Sequence, residues 1–445
     1  MQHQSKIRLL VLFTGDVAAL YLSLFAALFI RYGDDAYRGF TETHATPFTV
    51  IFGIWVVVFY VAGLYDLRRL RNGIDFIKTL WLALFTNGLL TITLFYLIPT
   101  FGIAPRRNLF LFIIIFAVIE TLWRRFFNSH IGSSEPPNKV LLIGNGPTAE
   151  EVVRAVNLNP QLGYEIKAWL KEDSANTRKA NLHALVKEHG INLIVIPRHL
   201  KKDTRLTGAL YGLLSHGVEA RDLPNFYEVV FRKIPLADLE EAWFLENLVG
   251  QQKFYDQLKR ALEFVIAFFL FIALLPLEIL IALGVKIASP GPAVYKQERV
   301  GRGGRSFMLY KFRTMDMNAE KNGAQWADPN DARATPFGRF LRYTHLDELP
   351  QLINIIKNEL SFVGPRPERP EFVKLLEEKI PYYDIRHLVK PGVTGWAQIN
   401  YRYGASVEDA YEKLQHDIYY LKNRSVVLDI SIFLKTLKSF FVNQT

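Results

Sequence analysis

The sequence predicts an integral membrane protein of mixed class, a bundle of spanning helices followed by cytoplasmic α/β structure. Three observations predict it. Four apolar runs crowd the first part of the chain, the periodicity changes to soluble α/β from Lys139 onward, and a later apolar stretch, Leu262 to Leu283, is interrupted by a proline. A chain of 445 residues is long enough for two or three domains. With 50% hydrophobic, 13% aromatic and 22% charged residues it lacks the low-hydrophobicity, high-charge signature of disorder. Its zero cysteines exclude disulfides, thiolate metal sites and cysteine nucleophiles, so covalent chemistry must use oxygen or nitrogen. The formal charge of +10 suits anionic lipid, nucleotide or phosphate without choosing among them.

The four runs are Leu9 to Ile30, Phe48 to Leu64, Leu80 to Ile98 and Leu109 to Trp123. Each is close to the roughly 20 residues that cross a hydrocarbon core, and together they predict a four-helix transmembrane bundle over residues 1–130. Asp16 interrupts the first run and no small-residue cleavage pattern follows before Arg31, so this run does not read as a cleaved signal. Asp16 reads equally as a functional intramembrane carboxylate or as a helix-packing residue. Lys6 and Arg8 precede span one, Arg68, Arg69 and Arg71 follow span two, and Arg124 and Arg125 follow span four. The N-terminus and the chain beyond span four are therefore expected on the cytoplasmic side; Arg106 and Arg107, in the short outer loop, run against this assignment.

Residues 138–250 are expected to form a Rossmann-like domain. Strands are expected at Val140–Ile143, Ile166–Leu170 and Leu193–Ile196, with a helix from about Thr148 to Ala155. Gly144-Asn145-Gly146-Pro147-Thr148-Ala149 stands at the strand-to-helix turn where a dinucleotide fingerprint would be. Pro147 removes a backbone donor there and no acidic residue clearly ends the second strand, which favours a structural or regulatory module over a bound nucleotide.

Leu262 to Leu283 carries Glu263, Pro276 and Glu278. Lys253, Lys259 and Arg260 precede it and Lys286, Lys296, Arg299, Arg302 and Arg305 follow it, so both ends carry the cytoplasmic mark. A helix over about 258–287 that enters the bilayer, bends at Pro276 and returns satisfies both flanks; a fifth span is the alternative.

Beyond it lie features that handle phosphate. Arg299-Val-Gly-Arg-Gly-Gly-Arg305 forms a basic, glycine-rich turn, and Lys311 and Arg313 share one face if their segment is a strand. Apolar residues at Leu349, Leu352, Ile353, Ile356 and Leu360 predict a helix beginning at about Asp347, with Pro350 in its first turn. There the first-turn N–H groups and the helix dipole favour an ionised Asp347, which can attack phosphorus. Glu348 beside it is available for Mg²⁺, which takes carboxylate and phosphate oxygens together. Arg342, Arg366 and Arg402 are candidates to converge on a polyanion such as a diphosphate.

From Phe254 onward the chain resembles the bacterial sugar transferase family, the monotopic polyprenyl-phosphate hexose-1-phosphate transferases. The resemblance rests on the Pro-broken helix, Ser289-Pro-Gly-Pro292, Gln297-Glu-Arg-Val-Gly301, Lys311-Phe-Arg-Thr-Met315, Leu346-Asp-Glu-Leu-Pro-Gln351, Val363-Gly-Pro-Arg-Pro-Glu368 and Lys390-Pro-Gly-Val-Thr-Gly-Trp-Ala-Gln398. It implies a mixed α/β transferase domain over residues 254–445 with a re-entrant membrane helix, and the preceding spans and middle domain are similar to those of long-form members. It also implies that Asp347 attacks the sugar-proximal phosphate of a UDP-hexose, releasing UMP, and that undecaprenyl phosphate then accepts the phosphosugar. That step initiates exopolysaccharide, capsule or O-antigen synthesis at the bacterial inner membrane. Asp347 and Glu348 match the family's Asp-Glu dyad, with Mg²⁺ on Glu348 and Asp347, and Arg342, Arg366 and Arg402 match phosphate-contacting positions. Lys311, Arg313 and Gln398 lie within matching motifs as further substrate contacts, and Glu368 and Asp417 are weaker candidates for sugar or metal. Leu275 stands where relatives often carry Ser before the proline, and Tyr401 stands where smaller relatives carry Gly.

His345 reads as structural, because a carboxylate already ionised needs no base. Trp396 reads as a core aromatic or a stacking platform, and the C-terminal amphipathic helices as packing or membrane-surface elements. Two rival functions are an NAD-dependent nucleotide-sugar modifying enzyme and a non-catalytic scaffold for polysaccharide assembly. The first lacks a Tyr-x-x-x-Lys pair between Lys139 and Gly250. A homodimer through the bundle or middle domain is the oligomer considered, and no residue selects the sugar.

Overall fold

The computed structural model describes residues 2–65, 74–97, 106–131, 138–171, 182–248, 252–315, 333–401, 404 and 406–442. By contact density the chain divides into two units, one of Met1–Leu142, Val153–Ile194 and Leu213–Glu219, the other of Ile143–Val152, Val195–Gly212 and Ala220–Thr445.

The first unit opens with four long helices, α1 (Gln2–Tyr32), α2 (Ala45–Ala62), α3 (Ile74–Leu97) and α4 (Arg106–Phe126). They coincide with the expected apolar runs. Ile7–Ala62, which holds α1 and α2, and Phe76–Phe95 in α3 are long and apolar enough to cross a membrane; Phe254–Ala288 is the third such stretch. Helix α4 falls outside that set because Arg106, Arg107, Glu120, Arg124 and Arg125 dilute its apolar run. Inside the helices Phe48, Trp55, Phe112 and Phe116 interlock, with ring centroids 5.2–5.9 Å apart. Outside, Leu22, Ile30, Phe85 and Ile114 are exposed, an inversion that water would penalise and hydrocarbon does not.

Asp16 is a packing residue. Fully buried, it pairs with the Arg124 guanidinium and accepts a 3.0 Å bond from Trp123 Nε1. Arg124 also donates to Glu120 at 2.8 Å and to the Leu64 carbonyl at 2.6 Å. Arg124 is thus no flank charge: two buried carboxylates neutralise it, which leaves Arg125 alone to mark the end of this helix.

Strands β1 (Asn138–Ile143), β2 (Tyr164–Leu170), β3 (Leu193–Ile196) and β4 (Glu219–Asp222) form a sheet in the order β2-β1-β3-β4. Between them run α5 (Pro147–Leu158), α6 (Leu182–His189) and α7 (Thr204–Leu214). Gly144, at φ +126°, has no room for a side chain: a Cβ would lie 2.6 Å from the Pro197 ring.

Next come α8 (Leu223–Phe231) and α9 (Glu241–Leu248). The expected boundary near residue 250 groups them with the middle domain, but Ile234, Leu236, Trp243 and Phe244 are buried in one core with Val363, Tyr383, Trp396 and Tyr420. Polar ties accompany the burial: Lys422 and Asn423 both bond Glu228, at 2.6 and 2.7 Å.

Helix α10 (Lys253–Ala288) holds Pro276 in its interior, where the proline removes one backbone hydrogen bond of the helix. Glu263 is held on the protein side by a 3.1 Å bond from the Phe362 amide. After α10 the hairpin β5 (Val294–Val300) and β6 (Ser306–Phe312) pairs antiparallel, with Tyr295 opposite Lys311. Then follow α11 (Pro336–Tyr343), a 3₁₀ turn Leu346–Glu348, α12 (Gln351–Ile356) and β7 (Ser361–Val363). The chain ends with α13 (Pro370–Lys379), a 3₁₀ turn Tyr383–Leu388, β8 (Gly392–Thr394), α14 (Trp396–Asn400), α15 (Val407–Asn423) and α16 (Val426–Val442). Strand β8 lies parallel to β7, so the Val363–Glu368 and Lys390–Gln398 motifs, apart in sequence, are paired in space.

Candidate active site

The expected α-helix at Asp347 starts later. Pro350 cannot donate to a preceding turn, so it serves as the N-cap of α12, and Asp347 and Glu348 occupy the tighter 3₁₀ turn before it. That turn is entered through His345, whose φ of +54° is uncommon for a residue with a side chain. Asp347 therefore lacks the α-helical N-terminal setting expected for it, and the electrostatics differ accordingly. Burial pushes its carboxyl up to about 6, against the pull of Lys311 and Arg342 and with the help of the Glu348 charge. At neutral pH it is still about nine-tenths ionised.

Its neighbour behaves oppositely. Burial alone would raise Glu348, but Lys311 and Arg366 outweigh it and hold the carboxyl down at about 2. Lys311 Nζ donates to Glu348 Oε1 at 2.6 Å and Arg366 Nη2 lies 3.5 Å from the same oxygen. Two adjacent carboxyls thus have separate duties available: a permanent anion that organises cations, and one that titrates near neutrality. His345 is lowered by burial, against the Glu348 charge and with that of Arg366 and Lys311.

Each cation has its own support. Lys311 sits on β6, whose edge is fixed by the fully buried Asn354 of α12: Oδ1 accepts from Tyr310 N at 3.1 Å and Nδ2 donates to the Met308 carbonyl at 2.8 Å. Arg342 donates through Nε to Thr314 Oγ1 at 2.9 Å. Gly338 allows this approach, since a Cβ there would meet the Thr314 carbonyl oxygen at 2.0 Å. Arg366 is set from behind by Arg386, whose Nη2 donates to the Arg366 carbonyl at 3.0 Å. The buried Arg386 in turn pairs with Asp417 at 2.8 Å and donates to Tyr383 Oη.

Several expected contacts lie elsewhere. Arg313 does not share the Lys311 face, because β6 ends at Phe312; it is buried and donates to the Ser289 carbonyl at 2.7 Å, tying the end of α10 to the hairpin. Glu368 is 3.8 Å from Arg299, and its backbone carbonyl accepts from Val300. Asp417 faces Arg386 at 1% exposure, inaccessible to a sugar. Gln398 is exposed on α14 and donates to the Val393 carbonyl at 3.2 Å. Trp396 is a core residue, bonded to the Arg232 carbonyl at 2.9 Å and stacked on Tyr419. Arg402 lies outside the described residues.

Sequence reading missed Asn354, Thr314 and Arg386 as supports. Asn354 left a signal, a polar residue on the apolar face of its helix; Arg386 left none. Among the described residues no three His, Cys, Asp or Glu side chains converge as a metal shell.

The family model described as bacterial sugar transferase matches residues 254–443. Among curated proteins, the UDP-glucose:undecaprenyl-phosphate glucose-1-phosphate transferase of Xanthomonas campestris pv. campestris is 40% identical over 340 residues, 71% of this chain and 69% of that protein. The Escherichia coli (strain K12) protein of the same name is 28% identical over 98% of this chain and 92% of its own length. The UDP-N-acetylgalactosamine-undecaprenyl-phosphate N-acetylgalactosaminephosphotransferase of Aeromonas hydrophila is 41% identical over 44% of this chain; the match spans about half of that protein, 47%.

Proposed function

We propose, from the premise that this chain belongs to the bacterial sugar transferase family, that it transfers a hexose-1-phosphate from a UDP-sugar to undecaprenyl phosphate through a covalent aspartyl intermediate. The observation that carries this reading is the pairing of Asp347, titrating at about 6, with a Glu348 held ionised among Lys311 and Arg366. In the first step Asp347 Oδ attacks the sugar-proximal phosphorus; the bond to the UMP oxygen breaks and its electron pair leaves with UMP. In the second an oxygen of undecaprenyl phosphate attacks the same phosphorus and the Asp347 carboxylate departs. Splitting the transfer divides one displacement between two anionic substrates into two separate steps at the same phosphorus. Lys311, Arg342 and Arg366 screen each approach, and Arg402 is proposed to join them. Bound at Glu348 and Asp347, Mg²⁺ would supply charge neutralisation on the diphosphate.

The proposed setting is the bacterial inner membrane, with the catalytic part on the cytoplasmic side and α10 re-entering through a bend at Pro276. Basic residues at both ends of α10 support re-entry, and the helices α1 to α4 of the first unit, three of them within stretches long and apolar enough to cross, support a four-span bundle. The sheet order β2-β1-β3-β4 with intervening helices supports a Rossmann-like middle domain serving structure or regulation. Relatives named for glucose and for N-acetylgalactosamine both match, so the sugar is left to experiment. The product would initiate exopolysaccharide, capsule or O-antigen synthesis.

The test is UMP release by the purified protein with Mg²⁺, undecaprenyl phosphate and a panel of UDP-sugars. Turnover with at least one sugar, its loss in Asp347→Asn, and a phosphosugar adduct on Asp347 when donor alone is supplied are the expected results. An adduct on another residue, or a normally active Asn variant, refutes the mechanism.

A further inference from the structure

The N-terminal end of α10 borders a second polar cleft, of about 90 Å³, whose lining includes none of Asp347, Glu348, Lys311, Arg342 or Arg366. Five cations line it: Lys259, Arg260, Arg302, Lys390 and Arg424. Asp256 is the one acid in the lining, and Arg424 lies 3.3 Å from it. Lys259 is engaged with Asp429 at 2.8 Å and with Tyr420 Oη and the Val363 carbonyl. Lys390 bonds Asn358 Oδ1 at 2.7 Å and lies 4.0 Å from Glu263. That leaves Arg260 and Arg302, both exposed and without an acidic partner among the described residues. The positive potential is felt inside the cleft: burial lowers Lys390, and Lys259, Arg260 and Arg302 lower it further against Glu263. Guanidinium pairs beside a lysine suit a phosphate.

The surroundings say what the phosphate is attached to. On the same turns of α10, Phe254, Leu258 and Leu262 are exposed at helical spacing, Phe254 at 78%. A free anion needs no such apolar strip beside its cleft; a headgroup with a hydrocarbon tail does. We infer that the cleft holds the phosphate of a membrane lipid, gripped by Arg260, Arg302 and Lys390, with its chain leaving along Phe254, Leu258 and Leu262. Both a phospholipid phosphodiester and a prenyl phosphomonoester supply that chemistry. The inference rests on the membrane reading of α10 and not on chemistry at Asp347.

The experiment is lipid retention by the full chain, without sugar donor, measured by native mass spectrometry during titration with phosphatidylglycerol, polyprenyl phosphate, phosphatidylcholine or inorganic phosphate. One acidic lipid is retained over phosphatidylcholine, and whichever of the two acidic lipids displaces the other identifies the source. Arg260→Gln/Arg302→Gln weakens its retention by about thirtyfold, at the usual worth of two interfacial cations. The control Lys374→Gln/Lys379→Gln on α13, equally charge-reducing and exposed, leaves it unchanged. Asp347→Asn also retains the lipid, which separates this result from any failure of turnover. Equal retention by the cleft variant, equal loss in the control, or binding of inorganic phosphate alone overturns the proposal.

Discussion

Replacing Lys311 by Met tests the electrostatic design of the site most directly. The ammonium is 2.6 Å from Glu348 Oε1 and exerts the largest downward pull on both Asp347 and Glu348. An opposite charge at such range lowers a carboxyl by about 1 to 3 units. With Arg342 still in place, losing Lys311 raises Asp347 from about 6 by roughly 1 to 2 units. Glu348 rises too but stays ionised at neutral pH, since Arg366 remains and it starts from about 2. Without metal, the fraction of ionised Asp347 at pH 7 then falls from about nine-tenths to between about one-half and one-tenth, a two- to ninefold loss of the proposed nucleophile before any loss of phosphate binding. The assay is UMP release from pH 5 to 9 at constant Mg²⁺. In the wild type kcat/KM falls with acid as protonation consumes the proposed nucleophile, at a pH below the metal-free value of about 6 because a bound cation lowers a carboxyl further. In Lys311→Met that limb moves to higher pH by 1 to 2 units, and Lys311→Arg largely restores it. A limb unmoved in Lys311→Met, whatever the rate, refutes the reasoning.

Three further outcomes follow from the surrounding structure. Arg386→Met strands the buried Asp417 and costs about 3–5 kcal/mol in thermal unfolding; adding Asp417→Leu recovers much of the stability but not the turnover, since the Arg366 carbonyl still lacks its donor. Gly338→Ala forces a methyl against the Thr314 carbonyl, lowering stability by about 1–3 kcal/mol and raising KM through displacement of Arg342; unchanged unfolding and KM would show that α11 can shift freely. His416 is lowered to about 4, chiefly by burial and then by Lys233. A depressed histidine gives stability that is present above its unfolded value of about 6.5 and is lost as pH falls through about 4. Between those limits His416→Gln should lose less stability than the wild type in denaturant titrations, and parallel curves would remove His416 from the acid response.

The order of chemistry-bearing residues was legible in the chain. Asp347 and Glu348 could be picked out because adjacent carboxyls, a following proline and an apolar helical repeat lie within a dozen residues. The strands around Gly144 were equally readable, since buried strands leave short continuous apolar runs. Where the reading went astray, a neighbour distant in sequence decided the matter. Arg313 and Lys311 alternate correctly for a strand, yet the strand stops between them and Ser289 claims the arginine. Residues Ile234 to Leu248 look like the tail of a middle domain until Trp396 and Tyr420 are seen in the same core.

Asp347 marks the boundary most sharply. Residue types and local spacing select it as an acid poised for nucleophilic work, because propensity and short-range order are written along the chain. Whether that acid is helped or hindered in ionising depends on how much water is removed from it and on Lys311, 36 positions upstream on another element. Desolvation and Coulomb energy are functions of distance in space, so the sequence names the carboxyl and the packing sets its charge.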